Sequence, residues 1–447
     1  MKTRYIGPTL AMALASATLA SCESDDMKMP SNPELPAVGA EVSASVIYQA
    51  NPRMFATDNC LDALTAQVRD IAGMGCDILW VMPVMEQGEK DAFGSPYCVR
   101  DFKAVNPKYG TMTDFKELVD AAHGAGMKVM LDWVANHTSW DNSWITEHPD
   151  YYVRDAAGNI QQASTWTDVA QLDFSNPATE EAMIDAMRYW VEQGGIDGFR
   201  CDYADGVPHS FWTNAIATLR EIKPELMMLA ESRSTDFYAD GFDMIYDWEF
   251  APAMSGVFMG GKPADLFSKE ASTWKEVPEG KQLLRYTFNH DFAAENAVDT
   301  TYGTTDGIMA AYVLTAMLNG TPMIYSSMDA DNISGTESFF NYNVLDWSAA
   351  KRNEFAAINK AYKNTAEVRR GELTTYGNAK TAMFTRSTPE HKMLVIVNTT
   401  GNEQTVKTPI SLAGETMTDM TDMTDDTSVT LPGTVTLGAY EYAIYMK

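Results

Sequence analysis

The chain has 447 residues, with 33 Lys plus Arg against 61 Asp plus Glu and a formal net charge of −28. Its 45% hydrophobic and 21% charged content is that of a folded globular protein and excludes wholesale disorder and a multi-span membrane protein. The acidic excess argues against nucleic acid as a partner, because phosphate binding draws on Lys and Arg.

Residues 1–21, MKTRYIGPTLAMALASATLAS, place two cations before a short apolar stretch of small residues, which reads as an export signal rather than a membrane span. The run Leu19-Ala20-Ser21-Cys22 resembles a bacterial lipobox, implying cleavage before Cys22 and a diacylglycerol on its thiol. The acidic, Pro-rich stretch that follows makes 22–42 a solvated tether. The expectation is an exported protein held at the cell envelope by a lipid anchor, on the outer membrane with its face left open.

From 43 to 364, eight short apolar runs alternate with segments of helical period, the signature of repeated βα units and a parallel sheet. The runs are 46–50, 77–83, 128–134, 196–202, 226–231, 243–248, 283–290 and 322–327. Eight such units favour a closed (β/α)8 TIM barrel over a doubly wound open sheet. The connection after the third run is abnormally long, so 138–177 is expected to be a small inserted domain, with Trp140, Trp144 and Trp166 either stacking on ligand or packing within it. Past 365 the pattern turns to alternating segments separated by turn residues, which predicts a C-terminal antiparallel β-sandwich over 365–447. The Met-Thr-Asp triplets at 417–425 have period three and read as a loop or hairpin tip. Cys60, Cys76, Cys98 and Cys201 fit no zinc template; Cys76 and Cys201 read as buried, and Cys60 with Cys98 as the candidate disulfide.

In a barrel of this kind reactive groups sit at the C-terminal ends of strands, so polar residues closing an apolar run carry the information. These are Asp132, Asn136 and His137 after the third run, Arg200 and Asp202 on the fourth, Glu231 on the fifth, and His290 and Asp291 on the seventh. Arg200 and Asp202 are two apart on a strand and share a face, where the guanidinium would hold the carboxylate ionised as a nucleophile. Glu231 follows Met-Met-Leu-Ala, apolar surroundings that would keep it protonated as a general acid. Two carboxyls tuned in opposite directions are what retaining glycoside hydrolysis uses, whereas a structural Arg–Asp pair with a capping Glu is the alternative these residues leave open.

Asp132-Trp-Val-Ala-Asn136-His137, Gly195-Ile-Asp-Gly-Phe-Arg200-Cys-Asp202, Ala230-Glu231 and Phe288-Asn-His290-Asp291 together resemble the four ordered motifs of the α-amylase family, glycoside hydrolase family 13. Gly94-Ser-Pro-Tyr97, Gln171-Leu-Asp173-Phe and Gly320-Thr-Pro-Met-Ile-Tyr325 add to the resemblance, which runs from about residue 43 through nearly all that follows. It implies Asp202 as nucleophile, Glu231 as acid/base and Asp291 as stabiliser of the transition state. It further implies that Arg200 orients Asp202, that His137 and His290 hydrogen-bond the sugar at the cut, and that Tyr97 stacks on that sugar. The implied substrate is an α-1,4-linked glucan such as starch, glycogen or a maltooligosaccharide. Other α-glucan activities of the family, or a non-catalytic starch-binding lipoprotein, are the rival readings. No cofactor is implied for the chemistry. Asn136 matches a residue that binds structural calcium in many members, yet no partner Asp is evident in the insert, so the resemblance leaves structural calcium open. Asp205 and Gly206 depart from the Lys and His that many α-amylases carry after the nucleophile.

Overall fold

The computed structural model describes residues 44–295, 298–330, 338–349, 351–421 and 427–447. The predicted signal, the tether and Cys22 lie outside the described residues. Eight parallel strands close into a barrel: β1 (Ile47–Ala50), β2 (Ile78–Val81), β3 (Lys128–Trp133), β4 (Gly198–Cys201), β5 (Met227–Ala230), β6 (Met244–Tyr246), β7 (Gln282–Tyr286) and β8 (Thr321–Tyr325). Each falls within a predicted run or overlaps it, and neighbours in sequence are neighbours in the ring, with β8 pairing back onto β1.

Alternation along these strands divides the barrel interior by height. Ile47, Ile78, Met130, Leu229, Met244, Leu284 and Met323 form a buried apolar plug, joined higher up by Trp80, Tyr246 and Tyr286. One pleat further toward the C-terminal end, the inward positions become Gln49, Asp132 and Arg200, all fully buried. Register aligns Asp132 with Arg200 across β3 and β4. Gly198 opens β4 because a Cβ there would lie 2.5 Å from the Met227 carbonyl, so any side chain would wedge β4 from β5.

Helices pack outside. Thr111 and Asp114 form a capping box at the start of Met112–Gly124, and Asn176 caps Pro177–Tyr189. The helical segment between the first two runs is two short helices, Cys60–Thr65 and Val68–Gly73. The insert after β3 is a three-stranded antiparallel sheet, His137–Ser139, Trp166–Gln171 and Gln162–Ala163, with one four-residue helix, Trp144–Glu147. Trp144 packs on Phe102 and Tyr151, whereas Trp166 turns toward His137 and Tyr203.

The C-terminal unit is a six-stranded antiparallel sheet, β9 (Glu372–Asn378), β10 (Thr381–Ser387), β11 (Lys392–Asn398), then Tyr442–Met446, Thr416–Asp419 and Ser428–Thr430. A two-stranded ribbon, Gln404–Lys407 with Thr434–Leu437, belongs to the same unit, and Met383, Ile396, Val406 and Leu437 share one core between them. The first Met-Thr-Asp triplet is strand rather than loop, with Met417 buried in that core. Residues 422–426 lie outside the described residues. All four described cysteines are free and buried, so the Cys60–Cys98 pairing is corrected. The Cys60 thiol donates to the Ala56 carbonyl, and Cys98 to that of Asp168 in the insert, so the two face different neighbours.

Candidate active site

The barrel's polar upper layer converges on one guanidinium. Arg200 is fully buried; its Nη1 donates to Asp132 Oδ1 at 2.9 Å and to Asp202 Oδ1 at 3.0 Å, and its Nε to the Tyr246 hydroxyl at 3.1 Å. Its Nη2 lies 2.9 Å from Glu231 Oε2. Trp80, Tyr97 and Tyr246 present ring faces to the same cation at 5.2, 5.9 and 5.6 Å. The backbone amide of Asp202 donates to the Trp133 carbonyl, and that of Glu231 to the Cys201 carbonyl, so ladder hydrogen bonds fix both carboxyl-bearing residues at the strand ends.

Asp132 is the hub beneath. Its Oδ2 accepts from Trp80 Nε1 at 3.0 Å and from the Tyr97 hydroxyl at 3.1 Å. The Tyr97 hydroxyl also meets His290 Nε2 at 2.8 Å, and His290 Nδ1 meets the Gln49 amide nitrogen at 2.7 Å. Because Gln49 donates to Nδ1, the His290 proton sits on Nε2, which also lies 3.3 Å from Asp291 Oδ1. Burial lowers both imidazoles, His137 to about 4 and His290 to about 3, so both are neutral at physiological pH. Burial raises the Asp132 carboxyl to about 6, against the pull of Arg200.

The tuning of Asp202 and the surroundings of Glu231 differ from the expectation. Arg200 was expected to hold Asp202 ionised; instead burial, with Glu231 beside it, pushes the Asp202 carboxyl well above the usual range. Glu231 was expected among apolar neighbours, yet its Oε2 accepts the Tyr203 amide at 2.6 Å and faces Arg200. The physical reason is shared compensation. Asp132, Asp202 and Glu231 divide one cation and Asp291 adds a fourth carboxyl nearby, so Arg200 does not offset the burial of Asp202.

The structure brings together Asp202, Glu231, Asp291, Arg200, Tyr97 and His290, with His137 on the insert side against Trp166. The three carboxylates keep side-chain exposures of 14%, 16% and 40%, so they are open to a ligand. Tyr97 is nearly buried, its ring stacked on His290 at 5.6 Å. Sequence reasoning missed Gln49, Trp80 and Tyr246, which lie inside apolar runs; the only signal was a polar or aromatic residue at an inward pleat.

The oxygens of Asn136 are already engaged. Both its side-chain oxygen and its carbonyl oxygen accept from Gln171 Nε2, at 2.9 and 3.0 Å, and the Leu172 carbonyl lies 3.2 Å from the same nitrogen. An amide donor therefore occupies the point where these three oxygens converge, whereas calcium takes six or more oxygen ligands. Among the described residues the acidic cluster of metal-holding proximity is Asp62, Asp114 and Glu117, which does not include Asn136.

The α-amylase catalytic-domain model matches residues 56–389. The chain belongs to the α-amylase family. Within the family it is 29% identical over 299 residues to Alpha-amylase MalA of Haloarcula japonica, covering 64% of this chain and 44% of that protein. It is 28% identical over 308 residues to the trehalose synthase/amylase TreS of Mycolicibacterium smegmatis, covering 55% and 51%. The matched stretch thus spans about half the length of these relatives. The crystal structure of an α-amylase from Lactobacillus plantarum superposes with a TM-score of 0.78 at 26% identity, covering 92% of this chain and all of that one.

Proposed function

We propose that the protein is a retaining glycoside hydrolase that cleaves α-1,4-glucosidic linkages of starch-like oligosaccharides through a covalent glycosyl-enzyme. The observation that carries this reading is one buried guanidinium touching Asp202 through one arm and Glu231 through the other, with Asp291 alongside. A shared cation keeps the two carboxyls close, as double displacement needs. In the reactive form the proton held by the coupled carboxyls rests on Glu231: Asp202 then attacks the anomeric carbon as its carboxylate, the C–O bond to the leaving sugar breaks, and Glu231 delivers that proton to the departing oxygen. Glu231 then takes a proton from water, which attacks the anomeric carbon and frees Asp202. Asp291 and His290 grip hydroxyls of the sugar as charge develops on its ring. Tyr203, whose amide holds Glu231, stands against Trp166 on the leaving-group side.

The test is incubation of the purified mature chain with maltoheptaose, soluble starch, pullulan and cyclodextrin, following product length and anomeric configuration. Products of α configuration are expected; β-configured products would overturn retention. No turnover by folded protein that is still held on a starch gel would favour the binding lipoprotein.

The chemistry of this family needs no cofactor, and we infer that this chain needs no structural calcium either, since Gln171 fills the place beside Asn136. The thermal midpoint is expected to agree within about 1 °C between EGTA and millimolar calcium. A rise of several degrees with calcium would overturn this.

Export and a lipid on Cys22 are proposed from residues 1–22, and no described helix is long and apolar enough to cross a membrane. Radiolabelled palmitate fed to the expressing cells is expected to enter the wild-type chain and not the Cys22→Ser variant. Equal labelling of both would refute the anchor.

A further inference from the structure

The loops after β1, β2 and β8 are fastened to one another on the side of the barrel opposite Glu231. Arg53, in the turn after β1, is buried, and its Nη1 donates to the Gly94 carbonyl and to the Phe339 carbonyl, both at 2.7 Å. Its Nε donates to the Tyr109 hydroxyl at 2.5 Å and its Nη2 to Gln87 Oε1 at 2.6 Å. Tyr342 covers the guanidinium at 5.0 Å. One side chain thus ties the loop after β8 to the loop after β2. The junction is tight: Gly94 has φ +88°, and a Cβ there would lie 2.9 Å from the Phe340 carbonyl.

What this junction holds in place is Phe339. Its ring stands edge-on to Tyr97 at 5.6 Å and against His290 at 5.4 Å, the two residues assigned to the sugar at the cut. Phe340 stacks on it at 4.4 Å and is 40% exposed, continuing the wall to the surface. These centroid distances are ring-on-ring contact, so no sugar passes between Phe339 and the Tyr97–His290 pair.

The side that is walled follows from the mechanism. The proton donor marks the leaving-group side of the bond, and Glu231 ends β5, which lies four strands from β1 in a ring of eight. The wall stands over β1 and its neighbours, so it faces the other side, where the non-reducing part of a bound glucan would run. Resting on the hydrolase reading above, we propose that Phe339, clamped by Arg53, closes the non-reducing side one ring beyond the cut. The enzyme is then exo-acting and releases single glucose units from non-reducing ends of maltooligosaccharides.

The experiment compares p-nitrophenyl α-maltoheptaoside with the same compound blocked at its non-reducing 4,6-hydroxyls, alongside maltoheptaose and cyclodextrin. Wild-type protein is expected to release glucose first from maltoheptaose, to act on the unblocked glycoside, and to leave the blocked glycoside and the cyclodextrin intact. Phe339→Ala is expected to raise the rate on the blocked compound by about tenfold or more, and Phe340→Ala by less. Maltose or longer first products, or comparable rates on blocked and unblocked glycosides by the wild type, would overturn the proposal with the hydrolase reading intact. Absence of turnover on every compound would instead overturn the hydrolase reading, and this inference with it.

Discussion

Asp202→Asn is expected to lower kcat/KM by about 10⁴-fold or more while making the protein more heat-stable at neutral pH. The loss follows from removing the only group that bonds to the anomeric carbon in the proposed mechanism. The gain follows from the crowding of carboxyls around Arg200. Burial and Glu231 push the Asp202 carboxyl up, so its folded value exceeds its unfolded value. Such a group contributes its stability fully below the ordinary carboxylate range, near 4, and that contribution is lost as pH rises through the folded value. An amide never carries the charge and does not suffer the loss. The difference in thermal midpoint between Asp202→Asn and wild type should therefore be small at pH 4 and widen towards pH 8. Arg200 keeps Asp132 and Glu231 as partners in the variant. A variant that is relatively less stable at pH 8 than at pH 4 would show that Arg200 needs the Asp202 carboxylate more than the cluster suffers from it.

Glu270→Gln is expected to cost about 3–5 kcal/mol in chemical unfolding at pH 7. Glu270, on the helix Pro263–Thr273, is fully buried and ion-paired through one oxygen to Arg285 of β7 and through the other to Arg386 of β10. Arg285 also reaches Asp247 at 2.9 Å, and the amide of Asn319 donates to Glu270 Oε1 at 3.3 Å. The carboxylate is the sole anion offered to Arg386 among these contacts, and it joins barrel, outer helix and C-terminal sheet. Its amide would leave two buried guanidinium groups with Asp247 alone between them. Neutralisation of a single residue, with its volume unchanged, thus strikes two units of the fold at once. A cost below about 1 kcal/mol would mean that water reaches the cluster and compensates it, as at a surface pair.

How much of this was legible in the sequence depends on the distance over which each feature is decided. The barrel strands were, because each is a short apolar run bounded by turn residues, and the site carboxylates were, because they end those runs with a charge. The split of the first helical segment at Ala66 and Gln67 was not, and nothing in the residues there breaks a helix. The Met417 triplet misled because a repeat of three hid an alternation of two, Met417 pointing into the small core. Trp80 and Tyr246 read as core until the barrel closed and their polar atoms met Asp132 and Arg200. Arg53 and Phe339 were beyond reach, since 286 residues separate the two partners of that bond and neither stands in a local pattern. The tuning of Asp202 was misread for a related reason: a pairwise view of Arg200 cannot anticipate that three carboxylates divide it.

The four described cysteines, all unpaired, make the molecule its own reporter. Cys60 sits in the first helix, Cys76 just before β2, Cys98 by the insert and Cys201 at the end of β4, all buried, and burial raises the Cys60 thiol to about 11. A maleimide added to the native protein can modify each one only when its own region opens, so peptide-resolved labelling rates time the opening of helix, barrel and insert separately. The C-terminal sheet carries no described cysteine and would be silent in such an assay. Under the proposed export these thiols would face an oxidising compartment only until the barrel closes, so speed of folding, rather than a covalent framework, would be the protection against wrong pairing.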